Sequence, residues 1–279
     1  SENVHRQALY GTYSNNKEPS MKIHAKTLLP PERRALMLTA MLLAACGTAS
    51  AQSAASPEAT AALKRMTDYL AGLPAYSLET QNTLEVVLES GQKLQFDSAT
   101  GFSAKRPDKF RANRYGDLVK QEFYYDGSNL TLVNPESSHY AVVKAPETID
   151  KALDFATDSL DIIAPASDLV HKDAFQRLTA GTTEGFVVGK SIIEGQVCDH
   201  LAFRAVNVDW QIWMRSGDKP IPCKYVITTT DIEGMPQFSV TVRSFNASPV
   251  LDDGLFRYTP PKGATKIDFI SPDSKGGGQ

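Results

Sequence analysis

Cys198, Asp199 and His200 form the group of neighbouring side chains with the most suggestive chemistry in this sequence. A thiol and an imidazole can act as nucleophile and base if they touch and a third group orients the base. The residues lie in a predicted strand, where successive side chains point to opposite faces, so Cys198 and His200 share a face about 7 Å apart. Ordinary strand packing explains them better, and we expect no catalytic residue here.

The same residues could hold a metal ion only with help from elsewhere in the chain. Two ligands separated by one residue make half of a metal site, and His139 or His171 would have to complete it. We therefore predict no metal site and no cofactor.

Cys198 and Cys223 are the two cysteines that follow the N-terminal region. If residues 197–206, 208–215 and 223–231 are successive hairpin strands, both cysteines flank the far end of the middle strand. Two strand spacings separate them by about 9–10 Å, beyond the roughly 7 Å limit for a disulfide. We expect two free thiols, although twist or a bulge would bring the cysteines within bonding distance.

Acidic residues are frequent in the region between the two predicted halves of the sheet, at Asp150, Asp154, Asp158, Asp161 and Asp168. A hydrolase with paired carboxylates would draw two such groups into one cleft. The first four recur at helical spacing, which favours a solvated helix face. The sequence also lacks the G-x-S-x-G, phosphate-loop, G-x-G-x-x-G and H-E-x-x-H motifs, so we predict that the protein is not an enzyme.

One predicted strand and its neighbours present a continuous apolar face. Four residues alternate along the strand and two continue the pattern in later strands: Val208, Trp210, Ile212, Met214, Tyr225 and Phe238. Such residues pack a core, or they line a cavity for acyl chains, to which methionine and aromatic side chains adapt well. We take them as candidate ligand-binding residues. Trp213 lies on the opposite, more polar face.

Residues 33–52 have the pattern of a bacterial export signal. Positive charges precede an apolar run, Ala35 to Ala45, that is too short to span roughly 30 Å of hydrocarbon as a helix. Two processing patterns follow it. Small residues at 49–51 suit cleavage and release, whereas the lipobox-like sequence ending at Cys46 would lead to lipidation and anchoring.

The chain therefore divides into an upstream segment with signal peptide (1–51), a linker (52–57), a single domain (58–270) and a flexible tail (271–279). The whole chain has a net charge of −3 and 42% hydrophobic residues. This composition suits a sizeable core and excludes wholesale disorder. No basic face stands out, so we expect no nucleic-acid partner.

The apolar pattern changes period three times along the predicted domain. Ser56 and Pro57 predict the start of a helix, which Gly72 ends. Alternating residues then predict strands up to position 144, and helical spacing returns over 147–179. Strands resume from 185 to 246. About ten antiparallel strands with helices predict a mainly β, α+β fold: a half-open antiparallel barrel covered by helices.

Four segments in this order resemble a known family: Phe123–Leu132 (FYYDGSNLTL), Ala145–Asp150 (APETID), Cys198–Phe203 (CDHLAF) and Val208–Trp213 (VDWQIW). They are similar to the domain-of-unknown-function family 2092, predicted periplasmic proteins, over roughly residues 58–270. That family resembles the LolA/LolB lipoprotein carriers. The resemblance implies a LolA-like half-open barrel with a helical lid over a lipid-binding cavity, and it supplies no catalytic residues.

These observations predict an exported periplasmic protein that binds or carries a lipid or a lipidated partner, without catalysis. If Cys46 is lipidated, it would be anchored at the outer membrane. The first alternative is a structural or sensory protein-interaction domain of the same fold with a filled interior. A hydrolase or metal enzyme is the third and least favoured hypothesis.

Overall fold

A computed structural model describes residues 55–162 and 164–269. The predicted export signal, Cys46 and the predicted tail lie outside the described residues. The described ranges contain three α-helices: α1 (Pro57–Gly72), α2 (Ile149–Leu160) and α3 (Ala174–Thr179). They also contain two short 3₁₀ helices, Ser167–Val170 and Asp253–Phe256. None of these helices combines the length and hydrophobicity that a membrane span requires.

Twelve strands make up the rest of the regular structure in these ranges. They are β1 (Ala75–Val87), β2 (Lys93–Lys105), β3 (Lys109–Gly116), β4 (Lys120–Tyr125), β5 (Asn129–Asn134), β6 (His139–Lys144), β7 (Thr182–Ile193), β8 (Gln196–Ala205), β9 (Val208–Arg215), β10 (Pro222–Thr229), β11 (Gln237–Asn246) and β12 (Thr265–Ile267).

All twelve strands belong to one open sheet, in the order β12-β6-β5-β4-β3-β2-β1-β11-β10-β9-β8-β7. Two antiparallel meanders, β1–β6 and β7–β11, are joined where β1 pairs with β11. The predicted single antiparallel sheet over 76–144 and 185–246 is confirmed, and so is the half-open fold with helices. Beyond the prediction, the short β12 adds to the edge strand β6 in parallel orientation.

Helix α1 begins where its sequence predicts. The Ser56 hydroxyl accepts a hydrogen bond from the Ala59 backbone N–H at 3.1 Å, and Pro57 occupies the first helical position. This caps a donor that the helix would otherwise leave unpaired. The Ser56 N–H also donates to the Gly185 carbonyl on β7 at 2.7 Å, so the entry to α1 is fixed to the sheet.

Two apolar clusters lie between the sheet and the helices. In the first, α1 packs with Leu63 and Met66 against β8, β9 and β10. In the second, α2 packs with Ile149 and Leu153 against β2–β5 around Phe110 and Tyr125. The helical insert (residues 147–179) leaves the sheet after β6, next to one edge, and re-enters it at β7, the opposite edge. It therefore connects the two sides of the open sheet.

Candidate functional site

An apolar cavity of about 180 Å³ lies between the sheet and the helical insert. Its sheet side comes mainly from β1, β2, β3, β10 and β11, and includes Leu78, Phe102, Ala112, Phe238, Val240 and Val242. Its cover is formed by Leu153 and Ala156 of α2 and by residues between Ala164 and Val170, which follow that helix. An apolar cavity closed by a helical segment is a typical place for a small apolar ligand.

One part of the cavity wall is polar. Thr80, Asn82 and Thr100 line the cavity on β1 and β2, and Asn82 is 6% exposed. The Thr80 hydroxyl donates to the Asn82 amide oxygen at 2.9 Å, and the Asn82 amide nitrogen donates to the Thr100 hydroxyl at 2.9 Å. Because these groups satisfy one another, this patch stays inside an otherwise apolar wall at little cost.

Arg114 extends the polar patch. It lies on β3 directly opposite Thr100 and lines the cavity. Burial lowers the pKa of the Arg114 guanidinium, because the low-dielectric surroundings disfavour its charge. No carboxylate belongs to the described residues that line the cavity. The cavity thus has an apolar part and a part that favours negative charge.

The Tyr225 hydroxyl lacks a partner inside this region. Tyr225 lines the cavity and is 1% exposed, and its buried hydroxyl finds no hydrogen-bond partner within the described ranges. Burial and the nearby charge of Asp168 raise the pKa of Tyr225, so the group stays a neutral donor at ordinary pH. A buried hydroxyl without a partner is rare, and a ligand or an ordered water can supply the missing hydrogen bond.

The six candidate ligand-binding residues lie in two places. Tyr225 and Phe238 line the cavity. The four β9 residues are buried in the cluster beneath α1 and are not among the residues that line the cavity: Val208, Trp210, Ile212 and Met214. Trp210 stacks on Phe203 with ring centroids 4.2 Å apart. The alternation of the four β9 residues identified the inner face of the sheet but not the helix that covers it. The role of these residues in ligand binding stays a prediction.

The expectation of two free thiols is wrong. Cys198 and Cys223 form a disulfide, with their Cα atoms 6.7 Å apart. The register between β9 and β10 shifts between Pro222 and Lys224, at the position of Cys223. This bulge brings Cys223 closer to β8 than two regular strand spacings would allow.

The neighbours of Cys198 have separate contacts. Asp199 forms an ion pair with Lys190 at 2.5 Å. His200 stacks on Trp213 with ring centroids 4.0 Å apart, and its Nε2 lies 3.0 Å from the Gln211 amide oxygen. Each of these side chains is thus engaged with a group on a neighbouring strand.

The predicted solvated acidic face is only half correct. Asp158 and Asp161 are exposed. Asp150 and Asp154 instead lie partly buried beside Arg106 and Arg177. Asp168 is buried as well, at 7% exposure. The insert packs its charged residues against the β2–β3 turn and against its own later segment, which helical spacing alone does not reveal.

The described residues thus form one open sheet covered by helices, with an apolar cavity between them. The family model of DUF2092, described as predicted periplasmic protein, matches residues 59–270. The chain belongs to this family, and the resemblance seen in the four sequence segments is confirmed. A comparison with functionally curated proteins finds no match.

Several solved structures are similar to the chain at low sequence identity. An uncharacterized conserved protein from Thermus thermophilus has 12% identity and a TM-score of 0.44, over 76% of this chain and 99% of that one. The Mycobacterium tuberculosis lipoprotein LppX has 13% identity and a TM-score of 0.40, over 71% and 100%. A LolA superfamily protein from Nitrosomonas europaea has 10% identity and a TM-score of 0.35, over 72% and 97%. Similarity at this level supports no conclusion about function.

Proposed function

We propose that this protein is an exported binding or carrier protein that holds the apolar part of a lipid or of a lipidated partner in the cavity, without catalysis. The observation that carries the proposal is the cavity itself, in which apolar walls surround the unpaired Tyr225 hydroxyl. A filled core would leave no space there and would pair the hydroxyl.

The size of the cavity defines what it can hold. An engineered apolar cavity of about 150 Å³ binds benzene, whereas sites for larger ligands measure about 300–1,000 Å³. At about 180 Å³, this cavity accommodates the end of an acyl chain. A longer stretch of chain requires the segment around Ala164–Val170, which forms part of the cover, to move away from the sheet.

The polarity of the walls favours an amphiphile with a neutral or negative polar group. Arg114 supplies positive charge, and the Thr80 and Thr100 hydroxyl groups lie on the strand positions beside it. The next part of the same wall, around the paired residues Leu78 and Phe102, offers only apolar contact. A fatty acid or an acylated group with an acidic or polar end matches this division.

The proposed location is the periplasm, in agreement with the description of the family. Lipidation at Cys46 would anchor the protein at a membrane, whereas cleavage after position 51 would release it. Mass spectrometry of the N-terminal peptide from cells that export the protein distinguishes these forms, because attached acyl chains add a defined mass.

The experiment that tests the proposal compares two substitutions on neighbouring strands of the sheet. Ala112→Phe places a ring into the cavity, whereas Ala99→Phe places the same ring on an exposed position of β2. We expect native mass spectrometry to detect lipid bound to the wild type and to Ala99→Phe, and little or none bound to Ala112→Phe. An apolar fluorescent probe should lose at least about tenfold in affinity for Ala112→Phe alone, since the ring occupies its space.

A wild type that carries no lipid and binds no probe would overturn the carrier proposal. The protein-interaction domain would then be the better candidate, and one observation favours it. The edge strand β7 exposes Phe186, Val188 and Ile192, which are 54%, 49% and 75% exposed. A partner bound there should be lost on Phe186→Ser and Ile192→Ser, while Ala112→Phe should have no effect on it.

A further inference from the structure

A buried histidine lies at the junction of the three helical segments of the insert. The His171 side chain is 3% exposed and directly follows the 3₁₀ helix that contributes to the cavity cover. Its Nδ1 atom is buried and has no hydrogen-bond partner within the described ranges. A buried ring nitrogen without a partner requires an explanation, because its desolvation is not compensated.

Two carboxylates lie near the His171 ring. Asp150 comes from the first turn of α2, and Asp173 immediately precedes α3. One potential ligand atom from each of these residues and from His171 lies within 4.8 Å of the others. The His171 Nδ1 atom is 3.9 Å from a carboxylate oxygen of Asp173, too far for a hydrogen bond.

We propose that Asp150, His171 and Asp173 form a site for a divalent cation of the Zn²⁺ type, which fixes the helical insert over the cavity. In tetrahedral coordination at about 2.1 Å from the metal, ligand atoms lie about 3.4 Å from one another. Small side-chain movements would therefore bring the three ligand atoms, now within 4.8 Å of one another, to this spacing. Imidazole and carboxylate together are a ligand set that suits Zn²⁺.

The surrounding side chains support the ligands. The Asp154 carboxylate lies 3.9 Å from the other ring nitrogen, His171 Nε2, on the side of the ring away from the proposed ion. Arg177 donates to Asp154 at 3.0 Å and to one oxygen of Asp173 at 2.8 Å. This Asp173 oxygen, Oδ1, is also the one that lies 3.9 Å from His171 Nδ1, so a bound ion would share it with Arg177 or turn the carboxylate to its other oxygen. Ligands held by such outer contacts are typical of metal sites.

The charge of the region also suits a divalent cation. Four carboxylates and two guanidinium groups surround His171, which leaves two negative charges in excess: Asp150, Asp154, Asp168 and Asp173 against Arg106 and Arg177. A bound divalent ion would neutralise the excess.

Such an ion would connect three parts of the cover. Asp150 belongs to the helix that carries the cavity residues Leu153 and Ala156, and His171 follows the cavity residue Val170. Asp173 precedes the short helix α3. A cation that joins these segments would hold the cover in place and slow its movement away from the sheet.

The test is a titration of the metal-free full-length chain, without a polyhistidine tag, with Zn²⁺ against a chromophoric chelator. We expect one site per chain in the wild type, its loss in His171→Gln, and a roughly 10- to 100-fold weaker affinity in Asp154→Asn, an outer contact. Asp158→Asn is the matched control, because Asp158 lies exposed on the same helix. With Co²⁺, the wild type should show a visible spectrum without the charge-transfer band of a thiolate ligand.

Thermal unfolding gives a second measurement. Zn²⁺ should raise the melting temperature of the wild type and of Asp158→Asn, and leave that of His171→Gln unchanged. If His171→Gln does not fold, Asp173→Asn, at a half-exposed position, takes its place. Absence of Zn²⁺ binding in the wild type, or binding that persists in the folded ligand variants, would overturn the proposal. These measurements contain no lipid, so their outcome does not decide the proposed function.

Discussion

The Cα atoms of Cys198 and Cys223 lie 6.7 Å apart, although β9 runs between the strands that carry them. Their disulfide links positions 25 residues apart in sequence and so restricts the unfolded chain. We expect the Cys198→Ala/Cys223→Ala variant to lose about 3 kcal/mol of unfolding free energy. Urea unfolding with and without a reducing agent measures this loss. An oxidised wild type that is no more stable than the variant would contradict it.

The two tryptophans of β9 should differ strongly in their contribution to stability. Trp210 is 1% exposed and stacks on Phe203, so Trp210→Ala should cost about 3–5 kcal/mol. Trp213 is partly exposed and contacts His200 and Lys224, so Trp213→Ala should cost about 1 kcal/mol. Chemical denaturation of both variants measures the difference. Equal losses would mean that the cluster beneath α1 is loosely packed.

His200 should make stability depend on pH. Burial, followed by the charge of Lys224, lowers the pKa of His200 in the folded protein. As pH falls through about 6.5, the unfolded chain takes up its proton first, and the free energy of unfolding decreases until folded His200 is protonated too. His200→Phe keeps the stacking on Trp213 without titrating. Between pH 7 and 5 it should therefore lose less stability than the wild type, and parallel curves would contradict this.

Arg114 should determine the preference for acidic ligands. Replacing it by Gln removes a partly desolvated charge from the cavity wall, so oleate should bind about tenfold more weakly, while methyl oleate should change little. Arg111→Gln is the matched control, because Arg111 lies on the same strand and stacks on Tyr124 instead. Competition against an apolar fluorescent probe gives both affinities. An equal loss for acid and ester would assign Arg114 a structural role only.

Local patterns predicted most of the secondary structure. The alternation along β9 determines the orientation of the strand, because every second residue from Val208 to Met214 is apolar and must face the covered side of the sheet. The turn before β5 is equally local: the Asp126 carboxylate accepts from the N–H groups of Ser128 and Asn129, at 3.0 and 2.9 Å. Such features depend on a few neighbouring residues, and these are visible in the sequence.

The site depends on contacts that local patterns do not contain. In the sequence, Asn82 and Arg114 look like ordinary polar residues of separate strands. Only the pairing of β1 with β2 and of β2 with β3 places both in the same wall of the cavity. Cys223 approaches Cys198 because of a bulge in β10, and no turn residue in the sequence predicts that bulge. His171 meets Asp150 and Asp173 only because three segments of the insert fold together. Tyr225 and Phe238 were identifiable, because both continue the apolar face of neighbouring strands.

The pairing of β1 with β11 also governs the order in which the protein can fold. These strands lie in the middle of the sheet, yet partners such as Ser77 and Asn246 are separated by more than half of the chain. Contacts of this range slow folding, since a long loop must close before they form. As the chain emerges from its N-terminal end, the β1–β6 meander can assemble early, whereas the free side of β1 stays an unpaired edge until β11 has emerged. The growing chain is therefore most exposed to aggregation at its future centre.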